Sequence, residues 1–339
     1  MDMCAAPGSK VDLLFTLFSG VYWALQTAQL LEALHANDTI TSTSIPTGLV
    51  LANDSDNRRT HLLIHQSARL PSPALMVTNL DASNYPAIKV PVATQDGGTQ
   101  MDQLMFDRIL CDVPCSGDGT MRKNMGIWKS WSTMDGNGLH RYILDVAYLG
   151  DSTLKSIRSL QVRILQRAMN LLVKDGRIVY STCSLNPVEN EAVVAEALNN
   201  NHGHYHPSPR YSWFWIEFED FELVDVSPKL PSLKRRPGLT SWIPTVVIDK
   251  VNKIDMPFPT HEQFKTSDFD QTLKDKMSKG CWPPENVDKL NLSRWCAPFD
   301  TVFFCRLSYR PTQSAYISSS PGFWRFFCCR SREERQSSS

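Results

Sequence analysis

The stretch FDRILCDVPCSGDGT, residues 106–120, joins an apolar strand-like run to a turn that cannot continue a strand. Roughly seventy residues later, GRIVYSTCSLNP (residues 176–187) has the same design. Each places a cysteine, Cys115 or Cys183, just after its strand. Because ligands collect at the carboxyl ends of strands in a parallel sheet, these two thiols could face one substrate. Such a pair suits covalent catalysis, whereas a lone cysteine is more often a small buried hydrophobe.

The chain also opens on a turn, DMCAAPGSK (residues 2–10), in which an acidic residue precedes small residues. A glycine in such a turn lets the backbone approach a ligand closely. The turn lacks the GxGxxG spacing, so it does not indicate a dinucleotide site.

Apolar runs and helical spacing alternate along the first two hundred residues. Strands are predicted at residues 2–4, 48–53, 74–80, 106–111 and 177–181. Helices are predicted at 27–35, 57–70, 160–172 and 188–199. Two prolines predict a loop at 86–98. This alternation predicts an α/β fold with a doubly wound, mostly parallel sheet, followed after residue 210 by late strands and loops.

Five motifs, in order, resemble those of the Sun-family RNA cytosine-5 methyltransferases, and the tRNA-type branch most of all. They are DMCAAPGSK, NDSDNRR (53–59), LDAS (80–83), CDVPCSGDGTMRKN (111–124) and YSTCSLNPVENEAVV (180–194). The resemblance covers about residues 1–245. It implies a Rossmann-like enzyme that transfers a methyl group from S-adenosyl-L-methionine to C5 of cytosine in RNA, with tRNA as the substrate.

The resemblance also assigns catalytic roles. It makes Cys183 the nucleophile that adds to C6 of cytosine, and it makes Cys115 the thiol that assists product release. DNA cytosine methyltransferases attack with the Pro-Cys thiol, and the Thr-Cys motif around Cys183 favours the RNA assignment. Asp112, at the end of the fourth strand, is placed near both the cofactor and the target base.

The cofactor is expected along the strand ends. Asp54 would accept hydrogen bonds from the ribose hydroxyls. The resemblance places Asp81 near the adenine. The wall around the methionine part, with Lys10 near its carboxylate, is formed by Cys4, Ala5, Ala6, Pro7, Gly8, Ser9 and Lys10. Alone, each aspartate is as well explained by a helix cap or a turn. Their positions at successive strand ends favour the cofactor.

The composition bounds the partners. The 339 residues carry 35 basic and 35 acidic side chains, so the chain is not a general polyanion binder. RNA contact is therefore expected from a local patch, residues 121–124 with Trp128, Lys129 and Trp131 close behind. The alternative is a solvated loop anchored by two tryptophans.

Cysteine spacing and apolar stretches indicate the cellular compartment and the metal content of the protein. The nine cysteines lack zinc-ligand spacing, so no metal site is predicted. Without a secretory signal pattern, a reducing intracellular location is expected, and the resemblance adds the nucleus. The apolar stretch 13–25 is shorter than the roughly 20 residues that a membrane span needs, so no membrane contact is predicted.

Two segments interrupt the family pattern. Removing residues 11–26 or 141–158 restores a continuous, family-like helix in each place. The codons at both boundaries are compatible with retained introns, and genuine loop insertions are the alternative.

The predicted organisation has three parts. Residues 1–245 form the catalytic domain, 246–312 an extension and 313–339 a disordered tail. Since the chain starts at the end of the first strand, we expect the family's amino-terminal RNA-binding region to be missing. An inactive fragment or RNA-binding module that retains the motifs is therefore the alternative function.

Overall fold

The computed structural model describes most of the motif-bearing residues of the chain. The described residues are 1–6, 26–36, 46, 48–93, 97–121, 124–140, 160–199, 221–225, 228, 235–249, 254–274, 277–290, 292–296 and 301–309. Four predicted features therefore lie outside the described residues: Pro7 to Lys10, the interrupting segments apart from Gln26, the basic residues 122 and 123, and the tail from 313.

Strands and helices alternate in the first two hundred residues. The strands up to Cys183 are β1 (Val50–Asn53), β2 (Leu75–Thr78), β3 (Lys89–Ala93), β4 (Thr99–Gln103), β5 (Phe106–Asp112) and β6 (Leu172–Thr182). The helices are α1 (Gln26–His35), α2 (Asn57–Ser67), α3 (Ile127–Ser130), α4 (Thr133–His140), α5 (Leu160–Asn170) and α6 (Glu191–Asn199). Short 3-10 turns cover Ala82–Asn84 and Asp118–Thr120.

A parallel sheet carries the motifs. Strand β1 pairs in parallel with β2, and β5 pairs in parallel with β6. The segment 1–3 lies between β1 and β5, since Asp2 N donates to Leu51 O at 2.8 Å and Met3 N to Leu110 O at 2.9 Å. The order is therefore β2, β1, segment 1–3, β5 and β6, which confirms the predicted α/β fold.

The later part of the chain extends the same sheet with antiparallel strands. These elements are β7 (Phe221–Leu223), β8 (Arg235–Pro237), β9 (Thr245–Asp249), β10 (Ile254–Pro257), α7 (His261–Thr266), α8 (Gln271–Lys274), β11 (Ser293–Cys296) and β12 (Thr301–Tyr309). Strand β12 pairs with β6 on the side opposite β5, and β11 and β8 follow, while β9 and β10 form a separate hairpin.

The sheet is covered by one large apolar core. Met3, Tyr180 and Leu165 are fully buried, from the first segment, β6 and α5 respectively. Phe264 and Trp282, from beyond residue 245, belong to the same cluster. The predicted extension thus shares a core with the motif-bearing strands. The boundary at residue 245 itself stays a prediction.

Several predicted bounds differ from the structure; β6, for example, begins at Leu172, where the sequence predicted the end of a helix. Two further differences have a local physical cause. Residues 86–98 were expected to be a loop, but Lys89–Ala93 pairs with Thr99–Gln103 as an antiparallel hairpin, with Pro91 opposite Met101. A two-stranded ribbon leaves each strand an open edge, where a proline costs no ladder hydrogen bond. The helix predicted from residue 188 begins only at Glu191, because Asn186 Oδ1 accepts from Val188 N and holds a turn there.

Among the described residues, no helix is both long enough and apolar enough to span a bilayer. The apolar stretch 13–25 is not among these residues.

A buried ion pair joins α6 to the antiparallel strands. Arg294 on β11 binds both carboxylate oxygens of Glu191, at 2.6 and 2.7 Å, and the Glu191 side chain is fully buried. Leu239 N also donates to Glu191 Oε1 at 2.9 Å. The pair ties the later strands to the helix that follows the Cys183 motif.

Replacing Arg294 with methionine leaves this carboxylate buried without its cation. We expect Arg294→Met to lower the free energy of unfolding by about 3–5 kcal/mol, the usual cost of breaking a buried pair. Urea unfolding followed by circular dichroism measures the loss. Arg58→Met, at an exposed position on α2, is the matched control and should stay within about 0.5 kcal/mol of the parent. Equal losses in both variants would contradict the prediction.

Candidate active site

The predicted site residues follow strand ends at one edge of the parallel sheet. Asp54 comes directly after β1, Asp112 ends β5 and Cys183 comes directly after β6. Asp81 follows β2 after two intervening residues. Because these strands are parallel, their carboxyl ends share one edge, as the sequence predicts.

The two predicted catalytic thiols are in contact. Cys115 Sγ lies 3.2 Å from Cys183 Sγ, and Cys183 N donates to Cys115 Sγ at 3.3 Å. The two cysteines are not joined by a disulfide, and both are half-buried. One small molecule at this edge of the sheet can therefore reach both sulfur atoms.

The loops that carry the thiols are tied to each other by backbone groups. Val113 N donates to Ser181 O at 3.1 Å, which extends the β5–β6 pairing past the end of β5. Gly119 N donates to Cys183 O at 3.0 Å. Gly117, which lies between Val113 and Gly119 in the first loop, has a φ of 74°, in the left-handed region that favours glycine. The small residues after Cys115 thus fold the first loop back onto the second.

Asp112 is buried beside the thiol loops. Ser181 Oγ, on the neighbouring strand, donates to Asp112 Oδ1 at 3.1 Å. The parallel register pairs Asp112 with Ser181 directly, so this contact follows from the strand pairing.

Asp54 joins the amino-terminal turn to α2. Its carboxylate accepts from Ala6 N at 3.1 Å and Asp56 N at 2.9 Å, and it pairs with Arg59 at 3.2 Å. Ala5 and Ala6 are buried, and Ala5 N donates to Asn53 O at 2.7 Å. The turn after segment 1–3 therefore lies against the end of β1.

Asp81 and Cys4 complete the predicted set. Asp81 is half-buried and caps the 3-10 turn, accepting from Ser83 N at 2.8 Å and from Ser83 Oγ at 3.0 Å. The capping role weighed from sequence is thus present, and each carboxylate oxygen keeps a second acceptor site. Burial raises the pKa of the Cys4 thiol well above its usual value, so Cys4 stays protonated and does not compete as a nucleophile.

Comparison with known proteins agrees with this geometry. The family model of the 16S rRNA methyltransferase RsmB/F matches residues 37–210, which include Asp54, Asp81, both thiols and Asp112. The chain belongs to the RsmB/F family. Its members are S-adenosylmethionine-dependent methyltransferases, and the resemblance found in the motifs is confirmed.

Three curated relatives are similar over most of this chain. The multisite-specific tRNA:(cytosine-C(5))-methyltransferase of Saccharomyces cerevisiae is 45% identical over 71% of the chain and 27% of its own length. The multisite-specific tRNA:(cytosine-C(5))-methyltransferase trm4b of Schizosaccharomyces pombe is 40% identical over 88% of the chain and 36% of its own length. The tRNA (cytosine(34)-C(5))-methyltransferase of Drosophila melanogaster is 41% identical over 74% and 26%. The chain thus spans about a quarter to a third of the length of these relatives.

The residues present fit the cofactor of the RsmB/F family. Ala5 and Ala6 are buried in a small apolar cluster with Ala52 and Leu63, which fixes the start of the turn at the end of β1. Carboxylates at successive strand ends accept hydrogen bonds from ribose hydroxyls and amines. Asp54, Asp81 and Asp112 supply three of them at this edge. Among the described residues, no cluster of three or more His, Cys, Asp or Glu could hold a metal ion.

Three buried carboxyl groups at this edge are missing from the predicted set: Asp2, Glu189 and Asp118, whose Oδ1 accepts from Leu185 N at 2.7 Å. Asp2 is fully buried on segment 1–3, and its Oδ2 has no hydrogen-bond partner among the described residues. Burial, reinforced by the nearby Asp112, raises the pKa of Asp2 to about 7. The acidic residue before the small-residue turn was the sequence signal for it. Glu189 has no such signal, because Ser116, through which it reaches the Cys115 loop, lies 73 residues away along the chain.

The raised pKa of Asp2 predicts a pH dependence of stability. Between about pH 4 and pH 7 the folded chain holds a proton that an unfolded Asp2, with an ordinary pKa of 3.8, has lost. Stability supplied by this group is therefore complete below pH 4 and falls as the pH rises to about 7. Asp2→Asn removes the titrating group and should flatten the curve across this window.

Urea midpoints at intervals across that window measure the effect. The exposed Asp102→Asn on β4 is the control and should keep the parental slope. Parallel curves for the parent and Asp2→Asn would show that Asp2 does not titrate there.

Proposed function

We propose that this chain methylates C5 of cytosine in RNA, with tRNA as its substrate and S-adenosylmethionine as the methyl donor. The observation that carries the proposal is the 3.2 Å contact between the Cys115 and Cys183 sulfur atoms at the ends of two adjacent parallel strands. The similarity to tRNA cytosine-C5 methyltransferases from yeasts and fly supports the choice of base and RNA class.

The chemistry requires a thiol. C5 of cytosine is a poor nucleophile, and addition of a thiolate to C6 makes it enamine-like. The bound cofactor supplies an electrophilic methyl group on a sulfonium. Cys183, directly after β6, is assigned the attack on C6. Cys115, whose sulfur is within hydrogen-bond distance of the Cys183 sulfur, is placed to assist when the C5 proton leaves and the Cys183–C6 bond breaks.

Asp112 and Asp54 are assigned binding roles. Asp112 lies three residues before Cys115 and accepts a hydrogen bond from Ser181. From this position its carboxyl group can hydrogen-bond the N3 and amino edge of the base. Asp54 is fixed by two backbone N–H groups and Arg59, so a ribose would meet a preorganised acceptor. The remaining cofactor wall is assigned to Cys4 through Lys10 and to Asp81, as the motifs imply.

The RNA must present an unstacked base to reach the thiols. Trp128 on α3 is 63% exposed, and Lys129 beside it is exposed too. An exposed tryptophan next to a lysine can stack on a base and contact a phosphate. We assign this patch to RNA contact. The similarity to eukaryotic tRNA enzymes also leads us to propose a nuclear location, which a fluorescent fusion can test.

The catalytic unit that we propose comprises residues 1–245, extended by 246–312. Strand β12 of the extension pairs with β6, the strand that delivers Cys183. The extension thus supports the catalytic strand directly.

Replacing Cys183 and replacing Cys115 should block different steps of the reaction. Incubation of the parent chain with unmodified tRNA transcripts and S-adenosylmethionine should leave cytosines that bisulfite no longer converts. Cys183→Ala should give neither these cytosines nor a covalent RNA adduct, because the first bond cannot form. Cys115→Ala should accumulate a protein–RNA adduct on a denaturing gel, because only a later step is lost.

The outcomes that contradict the proposal are distinct. A parent that gives no protected cytosine in any transcript would refute the activity. An adduct with Cys183→Ala and none with Cys115→Ala would reverse the two roles, as in the DNA enzymes.

Cofactor binding can be tested without RNA. Asp81→Asn keeps an oxygen to cap the 3-10 turn but replaces one acceptor by an N–H donor. If Asp81 accepts from the adenine amine, calorimetry should show about tenfold weaker binding of S-adenosylmethionine. Asp102→Asn is the surface control and should bind like the parent. An unchanged affinity in Asp81→Asn would remove Asp81 from the site.

A further inference from the structure

The carboxylate of Glu189 lies between the two cysteine loops and binds both. Its Oε1 accepts from Ser116 N at 2.8 Å, and its Oε2 accepts from Ser116 Oγ and Ser184 Oγ, each at 2.6 Å. Ser116 directly follows Cys115, and Ser184 directly follows Cys183. One side chain therefore holds the residues next to both thiols.

A third element joins the same carboxylate. Gln161, near the start of α5, donates from Nε2 to Glu189 Oε1 at 3.3 Å and to Pro114 O at 2.9 Å. Pro114 directly precedes Cys115. The first cysteine loop is thus bound by this network on both sides of its thiol.

Glu189 is itself anchored to the sheet. Its residue is fully buried, and its carbonyl oxygen accepts from the buried Tyr180 hydroxyl at 2.7 Å. Tyr180 lies on β6, three residues before Cys183. The carboxylate therefore has a fixed position relative to the strand that delivers the nucleophile.

Burial makes these contacts difficult to break. Hydrogen bonds to a carboxylate are stronger than those between neutral groups, and a buried carboxylate that loses its donors is strongly penalised. Burial also raises the pKa of Glu189, against the lowering effect of the bonds from Ser116 and Ser184. The carboxylate is satisfied only while both loops stay in place.

We propose that Glu189 is a positioning residue that sets the separation of the Cys115 and Cys183 thiols. The proposal rests on the proposed function, in which one thiol attacks and the other assists release. Both must serve one base, and a misplacement of about 1 Å can cost about a hundredfold in rate. Glu189 acts through the two serines, Ser116 and Ser184, whose hydroxyls both bind its carboxylate.

A purely structural role is the competing explanation, and Glu191 provides the matched control. It is also a fully buried glutamate, two residues further along, but its donors are Arg294 and Leu239 N. Neither residue belongs to a cysteine loop. Arg294 also donates to Leu185 O, two residues after Cys183, at 2.9 Å, but that bond does not involve the Glu191 carboxylate. A loss that comes from general destabilisation should affect variants at both positions alike.

The experiment measures the thiol pair directly, without RNA or cofactor. Dibromobimane becomes fluorescent when both of its arms have reacted, and peptide mapping identifies the bridge between Cys115 and Cys183. Alkylation of Cys183 by iodoacetamide reports its single-thiol reactivity. The variants are Glu189→Ala, Glu189→Gln and Glu191→Gln, each compared with the parent by thermal unfolding.

We expect the bridging rate, relative to the alkylation rate, to fall about tenfold or more in Glu189→Ala. It should fall less in Glu189→Gln, which keeps one acceptor oxygen, and stay within about twofold of the parent in Glu191→Gln. If Glu189→Ala does not fold, the fall of the bridging rate in Glu189→Gln tests the proposal. Methyl transfer should then show a lower kcat with KM little changed, because binding groups are retained.

Two results would overturn the proposal. One is a bridging rate in the Glu189 variants equal to that of the parent, and the other is an equal fall in Glu191→Gln. Because bridging needs no methyl transfer, an inactive parent that bridges normally would refute the proposed function and leave the role of Glu189 intact.

Discussion

The parallel pairing of β5 with β6 is the constraint on which the site depends. Its register sets Asp112 opposite Ser181, so both strands end at the same level of the sheet. The bond from Val113 N to Ser181 O carries the pairing one residue beyond the strand. Two short loops that start from adjacent points can then meet, and their cysteines do so at 3.2 Å. A slip of two residues in this register would separate the thiols by about 7 Å along the strands.

The buried carboxyl groups at this edge differ in how they are satisfied. Asp54 and Glu189 each accept from several donors, so their buried oxygens are satisfied by hydrogen bonds. Asp2 has one backbone donor, Cys4 N at 3.3 Å, and an Oδ2 without a partner among the described residues. Burial and the nearby Asp112 raise its pKa to about 7. The first two groups are therefore suited to fixing geometry, and Asp2 is suited to holding a proton.

The elements and site residues that were predicted from the sequence are those with a signal in neighbouring residues. Strands β1, β2, β5 and β6 were found because apolar runs end at aspartate, glycine or serine. The site residues Asp54, Asp112, Cys115 and Cys183 were found because they follow those runs. The hairpin of β3 and β4 was missed because Pro91 is a strong breaker in every position except an open edge. Glu189 was missed because ENE before an apolar run indicates only a helix start, while Ser116 lies 73 residues away.

Strand β6 shows why the later strands matter for the chemistry. It pairs with β5 on one side and with β12 on the other, so Ser181 has Asp112 and Phe304 as neighbours across the sheet. A strand paired on both edges opens less readily than an edge strand, because its backbone hydrogen bonds are covered on either side. The Glu191–Arg294 pair then holds the helix after Cys183 against β11. The nucleophile therefore follows a strand that is paired on both edges. Glu189 holds Ser116, in the Cys115 loop, next to Ser184, which directly follows Cys183.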